Sequence, residues 1–271
     1  MIFPDWPFVL GLLALGGFTG FSAGLLGVGG GMLTVPFITM LLSARQFPES
    51  LVVHAAIATS LGIILFTSIS SMRAHHRHGA VLWPAVKLLA PGILLGSWIG
   101  PWIGSTIPSP VLALFFAAFV GFSATQMLID RKPKPSRELP KTAGMLATGL
   151  VIGTLSGLVG AGGGFITVPF LVWCNTRMQN AVATSAALGF PIALASTLSN
   201  IWYGSQQPNL PDGMLGYLYW PALVLVAAAS VMTAPLGAKA AHALPVKSLK
   251  RVFALMLYGL AGYMLLRGLR G

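Results

Sequence analysis

Two apolar runs are too long to be single membrane crossings, and each carries three consecutive glycines. The first spans Phe8–Leu42 and the second Ala143–Cys174. Drawn as one helix, the first would be about 52 Å long, against a hydrocarbon core of roughly 30 Å. Within them, GLLGVGGGMLTVPF at Gly24–Phe37 and GLVGAGGGFITVPF at Gly157–Phe170 agree at ten of fourteen positions. Glycine is a weak helix former, and proline suits the first turn of a new helix. Each run is therefore expected to be a hairpin: one helix in, a break at the glycines (Gly27–Gly31 in the first copy), then a short helix back out. The return leg, Met32–Leu42 in the first copy, is too short to cross alone.

The rest of the chain supports a membrane setting. Charged residues make up 8% and hydrophobic residues 55%, too few charges to clothe a water-exposed surface. Further apolar runs lie at Leu51–Met72, Val81–Ser105, Val111–Ile129, Ala181–Tyr203, Met214–Ala238 and Leu249–Leu266. The net charge of +11 comes from basic residues in short loops, the pattern that orients spans, so no nucleic-acid partner is expected. The first apolar stretch has no basic residue before it and is expected to be a span, not a cleaved signal peptide. The lone Cys174 excludes an internal disulfide.

Orientation favours the hairpins. With Arg73, Arg77 and the basic stretch Arg131–Arg137 cytoplasmic, the hairpin reading also puts Arg177, Lys239, Lys247, Lys250 and Arg251 there. Counting each glycine run as one crossing moves the last cluster outside, against the positive-inside rule. Both termini are then expected to be external. Each half makes three crossings after its hairpin, so the halves are expected to be inverted. The repetition goes further: Ala58-Thr59-Ser60 matches Ala183-Thr184-Ser185, and Trp83-Pro84 matches Trp220-Pro221. The expected architecture is an all-α membrane protein with two inverted-topology repeats, each a broken-helix hairpin followed by three transmembrane helices. Residues 1–130 form the first repeat, 131–142 a cytoplasmic basic linker and 143–271 the second repeat.

Non-helical backbone at membrane depth must be buried or line a wet cavity. The start of a half-helix presents unpaired N–H groups and partial positive charge, and glycines let a ligand come close. Two such starts facing one space would bind a small anion. The candidate binding residues are Gly29, Gly30, Gly31, Thr34, Thr59, Ser60, Gly162, Gly163, Gly164, Thr167, Thr184 and Ser185, with Pro36 and Pro169 as helix-start prolines. All five acidic residues, Asp5, Glu49, Asp130, Glu138 and Asp212, lie in loops or at span ends, which disfavours a cation substrate. The bland alternatives stay open. Glycines also serve tight helix packing, which alone would account for Gly16, Gly20, Gly24 and Gly153, and most membrane hydroxyls bond back to their own helix.

Other signals carry less. His75, His76 and His78 lack the spacing of a metal set, and no cofactor is expected. No Gly-Lys-Ser/Thr follows the glycines, as a phosphate loop would need. Ser156-Gly157 lacks a nearby base for a hydrolase, so no enzyme is expected. Lys87 can snorkel to the cytoplasmic end of its span. Trp83, Trp98, Trp102, Trp202, Tyr217, Tyr219 and Trp220 read as interfacial belt residues.

The paired Gly-x-x-Gly-x-Gly-Gly-Gly-x-x-x-x-Pro segments, at Gly24–Pro36 and Gly157–Pro169, resemble the sulfite exporter TauE/SafE family of membrane transporters. The resemblance covers nearly the whole chain. It implies a secondary transporter in a bacterial inner membrane that moves sulfite, an organosulfonate or a similar small anion by alternating access. The residues themselves imply only a small anion. A carrier of a neutral or cationic solute, with glycine breaks that serve packing, and a non-transporting scaffold or sensor are the alternatives.

Overall fold

The computed structural model describes residues 6–26, 30–129, 138–243 and 246–270. The first five helices are α1 (Trp6–Leu26), α2 (Gly31–Ala44), α3 (Glu49–Arg77), α4 (Trp83–Thr106) and α5 (Ser109–Ile129). The next five repeat the order: α6 (Thr142–Val159), α7 (Gly164–Trp173), α8 (Met178–Gly204), α9 (Trp220–Ala243) and α10 (Val246–Arg270). Among the described residues, eight helices are long and apolar enough to cross a membrane, and α2 and α7 are the short ones. At 14 and 10 residues, these two reach about 21 and 15 Å, well short of a crossing. The expected linker over 131–142 lies outside the described residues as far as position 137.

Local chemistry sets the boundaries. Pro48 stands before α3 and Glu49 in its first turn, while His75, His76 and Arg77 close its last turn. Negative charge thus meets the electropositive start, and basic groups meet the carbonyl end. Trp83-Pro84 opens α4, where the missing proline N–H would have been unpaired in any case.

Burial identifies the centre. In the most apolar stretch of α3 78% of residues are buried, and 67% in α8, against 33–44% in the other six long helices. Around this central pair, α4 packs against α6, α1 against α9 and α5 against α10. The α4–α6 crossing is made of glycine on both sides. A Cβ at Gly92 or Gly96 would stand 2.1 Å from the carbonyl oxygen of Leu146 or Leu150, and one at Gly153 2.4 Å from that of Ile93. In α1–α9 the close approach is at glycines of α1: a Cβ at Gly16 would lie 2.6 Å from Val226 O, and one at Gly20 2.4 Å from Ser230 O. There Ser230 Oγ also donates to Gly16 O at 2.9 Å. Such close approach drives association where lipid gives no hydrophobic push.

The helix ends gather in two groups. At one end, Arg267 of α10 pairs with Glu49 and donates to Ser43 Oγ at 2.6 Å, tying α10 to the ends of α2 and α3. There also, the Arg45 guanidinium sits 4.7 Å over the Phe8 ring at the start of α1. His54 Nε2 donates to Gly104 O at 3.0 Å and Ile107 O at 3.2 Å, satisfying carbonyls at the end of α4. At the other end, His76 and Trp83 meet edge to face, and Leu82, Glu138, Cys174 and Arg177 surround one cavity.

A small hairpin interrupts the helical plan: β1 (Met214–Leu215) pairs with β2 (Leu218–Tyr219) between α8 and α9. Its turn glycine Gly216 has φ +58°, and a Cβ there would lie 2.3 Å from Ile201 O. The hairpin drives Tyr217 inward. That residue is 2% exposed and stacks on His54 at 5.0 Å, so it is a core residue, not an interfacial one. Burial raises the Tyr217 hydroxyl pKa, opposed by its hydrogen bond with Gln207.

Candidate functional site

The two glycine breaks lie side by side in the protein interior. A Cβ on Gly31 would fall 2.4 Å from Gly160 O and 2.9 Å from Ala161 Cα. In return, a Cβ on Gly160 would fall 2.9 Å from Val35 Cγ2, in the helix that Gly31 starts. Ser60 Oγ of α3 donates to Gly160 O at 2.9 Å and stands 3.5 Å from Gly31 O, so one side chain from the first half spans both breaks. Gly31 and Gly160 to Gly164 are all buried.

Only glycine satisfies the second break. Gly160 (φ +72°) ends α6 and Gly163 (φ +76°) caps α7, both in the left-handed region that side chains disfavour. Gly160 and Ala161 donate to Ser156 O, and Ile166 and Thr167 donate to Gly163 O. In the first break Gly30 has φ −64°, and its carbonyl accepts from the N–H groups of Leu33 and Thr34. Gly29 lies outside the described residues. Pro36 and Pro169 stand five residues beyond Gly31 and Gly164, in the second turn and not the first. The glycine backbone has already begun each helix before the proline, whose missing N–H removes one internal bond.

The hydroxyls divide into three groups. Thr34 Oγ1 donates to Gly30 O at 2.9 Å, within its own helix. Thr59 and Thr184 reach across the molecule: Tyr219 N donates to Thr59 Oγ1 at 3.1 Å, and Leu82 N donates to Thr184 Oγ1 at 3.0 Å. Tyr219 and Leu82 each immediately precede a Trp-Pro pair. Each threonine of the repeated Ala-Thr-Ser therefore holds the helix start of the repeated Trp-Pro from the other half. Both repeats were visible in the sequence, but not that they bind each other. Thr167 Oγ1 forms the third group with Ser156 Oγ: both are buried without a hydrogen-bond partner. Ser185 is buried at 2% exposure.

Two open cavities flank this centre without reaching it. One, of about 460 Å³, is lined by residues including Glu49, His54, Ser109, Gln207 and Tyr217. The other, of about 480 Å³, is lined by Leu82, Glu138, Asn175, Arg177 and Asn180 among others. They sit at the two groups of helix ends, and neither is lined by a described residue of the glycine breaks. Among the described residues no group of three or more His, Cys, Asp or Glu could hold a metal ion.

The sulfite exporter TauE/SafE family model matches residues 12–264. The chain belongs to that family. This TauE/SafE protein is 37% identical over 263 residues to a probable membrane transporter protein of Haemophilus influenzae, covering 97% of this chain and 100% of the relative. A probable membrane transporter protein of Methanocaldococcus jannaschii is 27% identical over 265 residues, 97% of each chain. No solved structure gives a match. The TauE/SafE chain is thus an integral membrane transporter and not an enzyme.

Proposed function

We propose that this TauE/SafE transporter carries a small anion, sulfite or an organosulfonate, by alternating access in a bacterial inner membrane with both termini external. The observation that carries the reading is the contact of the two buried glycine breaks: Gly31, at the start of α2, packs on Gly160 and Ala161 in the break that leads into α7, and Ser60 donates to Gly160 O. A buried helix start presents unpaired N–H groups and partial positive charge, which favour an anion. The family description supplies sulfite.

The two halves act as inverted repeats. Supporting this, α3 begins at the Arg267–Glu49 end, while its counterpart α8 begins beside the Arg177 cavity at the other. The helix pairings also exchange halves: α1 with α9 answers α6 with α4, and the Thr59–Tyr219 bond answers Thr184–Leu82. Rocking about the central α3 and α8 pair opens one end cavity toward the breaks and closes the other. Thr59 and Thr184 hold the moving helices in register, and the glycine start of α7 faces the anion.

Purified protein in proteoliposomes tests the reading with ³⁵S-sulfite and labelled sulfoacetate. Saturable flux of either, inhibited by the other, is expected. Flux of neutral or cationic solutes alone, with no anion flux or competition, overturns it.

A further inference from the structure

We infer that the anion is held by the second break alone, by Ser156 and Thr167 with the start of α7, while the first break packs the core. This rests on the anion reading above.

The two breaks share a motif but not a hydrogen-bond state. In the first, Thr34 Oγ1 gives its proton to Gly30 O. In the second, the matching Thr167 is 0% exposed and its Oγ1 has no partner. Ser156 is 1% exposed, and its Oγ also has no partner. It lies 3.2 Å from where a Cβ on Gly163 would stand, so it abuts the cap of α7. The residue matching Ser156 in the first repeat is Ala23, which has no hydroxyl.

The backbone adds donors. The N–H groups of Gly162, Gly163, Gly164 and Phe165 make no backbone hydrogen bond among the described residues; those of Gly31 and Met32 at the first break make none either, so the two breaks differ in their hydroxyls. Four backbone donors at the start of α7, the Thr167 hydroxyl and the Ser156 hydroxyl at the α7 cap thus have no acceptor among the described residues. A buried donor left unmatched costs about 1–3 kcal/mol, and buried polar groups are nearly always paired. A ligand with several acceptor oxygens and negative charge answers all of these at once; a cation would be repelled by the N–H groups. The geometry selects a sulfite, sulfonate or comparable oxyanion group. Space next to Gly162 is compatible with such a ligand: among the described residues a Cβ there would meet only Ile64 Cγ2, at 3.5 Å. Over Gly163, Ile192 Cδ1 lies 2.5 Å from the Cβ position and forms the apolar cover. At the first break Gly31 is instead pressed onto Gly160 O and Ala161.

The test is equilibrium binding of ³⁵S-sulfite and labelled sulfoacetate to the full-length protein in detergent, for wild type, Ser156→Ala, Thr167→Val and Thr34→Val. Loss of one hydrogen bond to a charged ligand predicts about tenfold or greater weakening for Ser156→Ala and for Thr167→Val. Thr34→Val should change affinity by less than about twofold, because its hydroxyl bonds to its own helix. Ser156→Ala and Thr167→Val are small or isosteric changes, and monodisperse elution of each variant checks folding. Wild-type affinity in both, with wild-type flux intact, overturns this inference and leaves the anion transporter standing. Equal weakening in all three overturns the asymmetry. A wild-type protein that neither binds nor transports either probe overturns both readings together.

Discussion

The two glycine breaks are near copies in sequence and opposites in use. At the first, Gly31 is pressed against the backbone of the second break, and the following threonine is consumed by its own helix. At the second, two glycines take left-handed conformations and two buried hydroxyls are left without partners. A repeated motif therefore marks a repeated backbone path, not a repeated job. Ten matching positions shape two interruptions. A few unmatched ones, such as Ser156 against Ala23, separate a surface that packs from one with donors to spare.

The largest expected effect comes from filling the contact between the breaks. Gly31→Val places a Cβ 2.4 Å from Gly160 O. Overpacking against backbone that cannot step aside should cost beyond about 3 kcal/mol or prevent folding, seen as a collapsed melting temperature in detergent. Gly162→Ala is the counter-test, with nothing closer than 3.5 Å among the described residues, and it should melt like wild type. Equal melting of both variants breaks the comparison.

Next come the crossed threonines. Thr59→Val and Thr184→Val each leave one backbone N–H, of Tyr219 or Leu82, without its acceptor. Each should lose about 1–3 kcal/mol, and by nearly the same amount if the halves use these bonds alike. A difference larger than about threefold in unfolding equilibrium would show that the asymmetry of the breaks extends to the clips.

The motif-equivalent glycines sharpen the contrast further. Gly163 has φ +76° and Gly30 φ −64°. Gly163→Ala should therefore be less stable than Gly30→Ala by about 1–2 kcal/mol, read as separate melting curves. The smallest effect belongs to Arg267→Ala. Its partner Glu49 is 68% exposed, so the pair should contribute no more than about 1 kcal/mol and less in high salt.

Much of this was legible before any coordinates. The apolar runs, their excess length and the paucity of charge dictated a bundle of spanning helices with two short ones, because backbone in lipid must bond to itself. The glycine clusters placed the breaks. The hydroxyls were less legible, since a threonine in a membrane helix has several acceptors within reach and only its rotamer and neighbours choose among them. Thr34, Thr59 and Thr167 had the same standing as candidates. One turned to its own helix, one to Tyr219 and one to nothing. Ser156 drew notice only as a hydrolase nucleophile without a base, because its setting depends on where Gly163 comes to rest. Tyr217 read as interfacial because no periodic signal announces a two-residue hairpin.

By itself, the amino-acid sequence determined where helices must span and where they must break, since hydropathy and glycine conformation are local properties. It also determined that the breaks come as a pair, because the motif is written twice. Only the tertiary structure decided that the breaks touch, that the two halves hold each other through Thr59 and Thr184, and that the unpartnered Ser156 and Thr167 hydroxyls lie at the second break. Those are contacts between residues about 100 to 160 positions apart. A hydrogen bond of that kind exists only once packing has brought donor and acceptor within about 3 Å.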